Sequence, residues 1–143
     1  MEKVEIDVRY LPGALELTTT DYGDWVDLYC YEDTFLEAGE SAYICQGVAM
    51  KLPEGYEAIM APRSSTFKRW GLIQTNGIGV IDNSYCGNDD IWMFPAKAEK
   101  TVLIPKNTRI CQFRIQKKQP DLTFKPVKRL SGDNRGGLGS SGA

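Results

Sequence analysis

One run of the sequence carries an apolar stretch onto a carboxylate and then turns: Gly77-Ile78-Gly79-Val80-Ile81-Asp82-Asn83-Ser84-Tyr85-Cys86-Gly87. A carboxylate at the mouth of a β-hairpin can take a proton from an attacking water. Tyr85, three residues on, could stack on a sugar ring, and free backbone groups of the hairpin could read a flat base by hydrogen bonds. Taken alone, the run is equally a hairpin with a capping aspartate. The chain contains no histidine. Ser-His-Asp and Cys-His mechanisms are therefore excluded, and acid–base work falls to carboxylates, Lys, Tyr, Cys or a metal-bound water.

Four further groups could serve a phosphate ligand or its metal ion. Ala61-Pro62-Arg63-Ser64-Ser65 places Arg63 and two hydroxyls at the expected start of a helix, where free N–H groups favour phosphate. The bland alternative is a capped surface helix. Gln112 is polar within the apolar run Arg109-Ile110-Cys111-Gln112-Phe113; it either faces solvent or meets a phosphate oxygen or a water. Asp27 follows the acidic stretch Asp21-Tyr22-Gly23-Asp24, and carboxylates beside a polyphosphate hold magnesium through water. The alternative is a solvated acidic turn. Arg135 opens a glycine-rich run whose N–H groups could close around phosphate, although it lacks the Walker A ending.

The elements that must position these groups read as strands. Alternation or β-rich composition marks 3–10, 41–52, 56–61, 77–82, 91–96 and 109–116. Pro/Gly/Asn/Asp turns separate them, so the expected architecture is an all-β sandwich or barrel. One helix of one or two turns is expected within 63–71, with serines able to cap it and Gly71 ending it. The tail from Ser131 carries five glycines in thirteen residues and cannot order itself alone.

A length of 143 residues and 42% apolar content suit one globular domain. No apolar run approaches the roughly 20 residues of a membrane helix, and the acidic N-terminus is no signal peptide, so a cytoplasmic protein is the default. A net charge of −2 argues against nucleic acid as partner. The four scattered cysteines (Cys30, Cys45, Cys86, Cys111) read as reduced, partly buried thiols.

Together, and in order, the groups resemble the five motifs of trimeric dUTPases. The matching stretches are Asp27-Leu28, Pro62 to Ser65, Gly79 to Gly87, Arg109 to Gln112, and Arg135 to Gly142; GVAMKLPEGYEA (47–58) is similar too. The resemblance implies a distorted β-barrel or jelly-roll, homotrimeric, over residues 1–130. Residues 131–143 would be a flexible arm that closes a neighbour's site. It implies hydrolysis of dUTP to dUMP and pyrophosphate, assisted by Mg²⁺. Asp82 would activate the water that attacks the α-phosphorus, with Gln112 beside it. Arg63, Ser64, Ser65, Gln112, Arg135, Gly137, Ser140 and Ser141 would bind phosphates. Asn76, Gly79, Val80 and Ile81 would read uracil, Tyr85 would lie under the deoxyribose, and Asp27 would meet the metal through water.

Two departures stand out. The fifth motif is shorter than the usual RGxGGFG, with Leu138 where a phenylalanine lies over uracil. Trp92, with Phe94 second, is the expected substitute lid; a buried core strand is the alternative. Ser65 stands where many members have glycine. Two other functions stay open: a dCTP deaminase of the same fold, which would need a glutamate near the pyrimidine amine, and a dUTPase-like scaffold that engages a regulatory protein.

Overall fold

The computed structural model describes residues 2–137. Eleven strands and one short helix follow in order: β1 Asp7–Tyr10, β2 Val26–Tyr29, β3 Thr34–Leu36, β4 Ser41–Cys45, β5 Val48–Lys51, β6 Tyr56–Pro62, α1 Thr66–Trp70, β7 Leu72–Gln74, β8 Gly79–Ile81, β9 Met93–Ala98, β10 Val102–Ile104 and β11 Arg109–Lys117. The strands pair antiparallel in four small sheets, ordered β2-β11-β6-β8, β4-β9-β7, β1-β5 and β3-β10. This is the expected distorted all-β barrel with one short helix. None of the described helices is long and apolar enough to cross a membrane.

The expected strand over 41–52 is two strands, and the reason lies at Gly47. Its φ is +71°, and a Cβ there would sit 2.7 Å from the Tyr31 ring. A left-handed residue ends the extended run, so β4 goes on to pair with β9 while β5 pairs with β1. The expected strand over 3–10 begins only at Asp7. Gly79–Ile81 does not pair with the chain that follows it, as a hairpin would; it pairs with Ala58–Met60 of β6.

The helix also differs from expectation at its start. Ser65 is the N-cap residue but makes no side-chain capping bond. Thr66, fully buried, performs the fastening instead. Its hydroxyl accepts the Arg63 N–H (2.8 Å) and donates to the Ile110 carbonyl of β11 (2.7 Å). The C-terminus behaves as expected: Gly71 is left-handed and its N–H closes on the Phe67 carbonyl at 2.8 Å.

The core gathers Trp92, Phe94, Leu28, Ile44, Met60 and Ile110, all 1% exposed or less. Each such side chain contributes roughly 1.5–3 kcal/mol by leaving water. Trp92 stacks edge-on against Phe113, ring centres 5.1 Å apart. This corrects the expected lid: Trp92 and Phe94 are held inside the barrel and cannot lie over a ligand. All four cysteines are free thiols; Cys30 and Cys111 are buried, and Cys86 is exposed.

Candidate active site

β8 is the edge strand of its sheet. Edge strands leave half of their N–H and C=O groups unpaired. Gly79 lets β8 lie close to β6: a Cβ there would come within 3.0 Å of the Met60 Cβ and 3.2 Å of its carbonyl oxygen. Past Ile81 the chain turns, with the Tyr85 N–H closing on the Asp82 carbonyl at 3.0 Å. The Asp82 carboxylate is exposed, and its Oδ1 accepts both the Ser84 N–H (3.0 Å) and the Ser84 hydroxyl (3.2 Å). These two bonds hold the carboxyl below its ordinary range, with desolvation opposing them and Lys118 adding to them. Asn83 anchors the turn, its Nδ2 donating to the carbonyls of Pro53 (2.9 Å) and Tyr56 (2.8 Å). The Tyr85 hydroxyl donates to the Ile91 carbonyl at 3.2 Å.

One cavity of about 480 Å³ opens beside this turn. Asn76, Gly79, Val80, Ile81, Asp82 and Tyr85 all line it, and Trp92 contributes buried wall rather than cover. Among the described residues, Asp82 is the only acidic side chain lining it.

A second cluster sits at the other end of β6. Asp27, Gln112 and Ala61 lie side by side across β2, β11 and β6. Gln112 is half-buried and its Nε2 donates to the Pro62 carbonyl at 3.1 Å. Asp27 forms ion pairs with two guanidiniums, Arg63 Nε at 3.1 Å and Arg109 Nη1 at 3.7 Å. Arg63 also reaches the Arg109 carbonyl at 3.3 Å. Ser64 is exposed and Ser65 half-buried beside Arg63. Two cations on one carboxylate leave the cluster with a net positive charge, which suits an anion. It suits a protein-held magnesium poorly, since both Asp27 oxygens already face guanidiniums. Among the described residues there is no group of three or more carboxylate or thiol side chains that could hold a metal ion.

The two clusters are not brought together within one chain. Register places Asp82 next to the start of β6, one step past the Ile81–Ala58 pair. Arg63 and Gln112 stand at its far end. Four strand residues separate Asp82 from the level of Gln112 and six from Arg63, which at about 3.3 Å each is roughly 13–20 Å. Arg135 and Gly137 are exposed; Ser140 and Ser141 lie outside the described residues.

Sequence reasoning did not single out Thr66, Asn83 or Ser84. A hydroxyl at the first turn of a helix, and an Asx-type turn after a catalytic candidate, are the signals that could have marked them. Arg109 was visible only as a flank of Gln112.

Residues 25–142 match the dUTPase family. The chain is 48% identical over 140 residues to the SPbeta prophage-derived deoxyuridine 5'-triphosphate nucleotidohydrolase YosS of Bacillus subtilis (strain 168), covering 97% of this chain and 99% of that one. It is 34% identical to the deoxyuridine 5'-triphosphate nucleotidohydrolase of Thermobifida fusca (strain YX), over 97% of this chain and 79% of that one. Among solved structures it resembles the Staphylococcus bacteriophage 80alpha dUTPase with dUPNHPP, at a TM-score of 0.80 and 23% identity, covering 97% and 99% of the two chains. Motif order, fold and these likenesses agree, and the chain belongs to the dUTPase family.

Proposed function

We propose that the protein hydrolyses dUTP to dUMP and pyrophosphate, and that Asp82 is the base. The observation that carries this reading is a single cavity lined by all the nucleoside-side candidates with one carboxylate at its rim. With Oδ1 tied to Ser84, the other oxygen is free to accept a proton from water. The water oxygen bonds to the α-phosphorus, the bond from that phosphorus to the bridging oxygen breaks, and pyrophosphate leaves. The edge groups of β8 and Asn76 read uracil. A pocket that pairs each polar edge of its base rejects a base with reversed donors and acceptors. A deaminase would need a glutamate beside the pyrimidine amine, and among the described residues no glutamate lines the cavity.

The phosphates belong with Arg63, Ser64, Ser65 and Gln112, and the arm with Arg135, Gly137, Ser140 and Ser141 completes their enclosure. Because roughly 13–20 Å of strand separates Asp82 from Gln112 and Arg63, a working site joins the nucleoside half of one copy to the phosphate half of another. A homotrimer with shared sites satisfies this, with residues 1–130 as the barrel and 131–143 as the crossing arm. Mg²⁺, arriving with the substrate, would supply charge neutralisation at the triphosphate. Asp27 orients Arg63 and would meet the ion through water.

Pyrophosphate release from dUTP by wild type and Asp82→Asn tests the assignment. We expect turnover to fall by several orders of magnitude while dUTP still binds. Full activity in the variant would refute it.

A further inference from the structure

We propose that Tyr43 is the aromatic wall of the base pocket and stacks on the pyrimidine ring. The inference deepens the proposed function and rests on a uracil nucleotide occupying the cavity beside Asp82.

The argument begins with strand alternation. On β4, Ile44 points inward and is 1% exposed, so Tyr43 on the opposite face is held outward and is 78% exposed. β4 pairs with β9, and Tyr43 lies directly across from Pro95, with Met93 two residues further along. All three side chains line the same cavity as Asn76, Val80 and Asp82. Two other aromatic rings reach that cavity. Trp92 is buried edge-on against Phe113, and Tyr85 is fastened through its hydroxyl to Ile91. Tyr43 makes no comparable bond among the described residues, and its ring face is open.

A single exposed aromatic needs no cover of its own; Tyr43 stands out because its side chain lines the same cavity as Asp82. A flat base suits that position: stacking needs only a π-face, and a strand-borne tyrosine has just two side-chain torsions to fix. The hydroxyl plays no part in this contact, so phenylalanine should serve in its place.

The test compares wild type, Tyr43→Ala, Tyr43→Phe and Met93→Ala. It reads kcat and KM for dUTP, inhibition by dUMP, and inhibition by pyrophosphate. We expect Tyr43→Ala to raise KM and weaken dUMP by roughly tenfold or more, with a much smaller change in kcat and none in pyrophosphate inhibition. Tyr43→Phe should restore wild-type dUMP binding. A Tyr43→Ala enzyme that binds dUMP as wild type does overturns the proposal. So does an equal loss of pyrophosphate inhibition, or a loss confined to Met93→Ala. A wild type that binds no uracil nucleotide would instead overturn the proposed function and remove the basis of this inference.

Discussion

At the scale of single residues, the chemistry turns on how Asp82 is held. A carboxylate was legible from the run that leads to it, and the absence of histidine pointed to it as base. The grip of Ser84 was not legible, because a serine two residues after an aspartate occurs in many solvated turns. That grip lowers the Asp82 pKa chiefly through the Ser84 N–H and then its hydroxyl. A lowered pKa means the charged, competent form persists as pH falls and is lost only below the ordinary carboxylate range. Ser84→Ala removes the hydroxyl bond and leaves the backbone bond. The acid limb of the kcat/KM profile for dUTP should therefore move upward in pH, and Ser84→Thr should bring it back. An unmoved limb would show that the hydroxyl does not tune the base.

At the scale of elements, two buried side chains decide how the site is framed. Trp92 anchors the segment between the Asp82 turn and β9, with its ring against Phe113. Trp92→Ala should cost about 3–5 kcal/mol in urea unfolding, as expected of a large aromatic removed from a core. A change in KM without loss of stability would return Trp92 to the role of lid. Thr66 joins α1 to β11 and fixes the backbone of Arg63. Thr66→Val keeps the shape but strands a buried carbonyl and an N–H, so a loss of about 1–3 kcal/mol is expected. β11 was legible because apolar and polar positions alternate along much of it, and β6 because it is a mostly apolar run between turn signals. The three-residue strands β3, β7 and β10 carry too few positions for a period to show, whereas β8 lies within the expected strand over 77–82. Trp92 misled because an aromatic near a site reads alike whether it faces the ligand or the core. The thiols follow the same logic of burial: desolvation pushes Cys30 and Cys111 up, while Cys86 is exposed. Iodoacetamide on the native protein should label Cys86 first, and labelling of Cys111 before unfolding would contradict the packing of β11.

At the scale of the whole molecule, motif order in the sequence shows which residues work together, but it is silent on whether they belong to one copy. Register supplies the missing step. Asp82 lies beside the start of β6, and Arg63 follows its end. No side chain spans the roughly 20 Å between them. Complementation follows from this. Asp82→Asn and Arg63→Ala should each be inactive alone, the first lacking a base and the second a phosphate anchor. Refolded together in equal amounts, they should form mixed trimers. A site is intact when its Asp82 comes from the Arg63 variant and its Arg63 from the Asp82 variant. With random mixing and heterologous contacts around a ring, each condition holds half the time, so about a quarter of the wild-type pyrophosphate release should return. The two proteins mixed without unfolding should stay inactive until subunits exchange. If co-refolding restores nothing while both variants still assemble, the two halves work within one chain, and the separation along β6 must close by a movement of the strand ends instead.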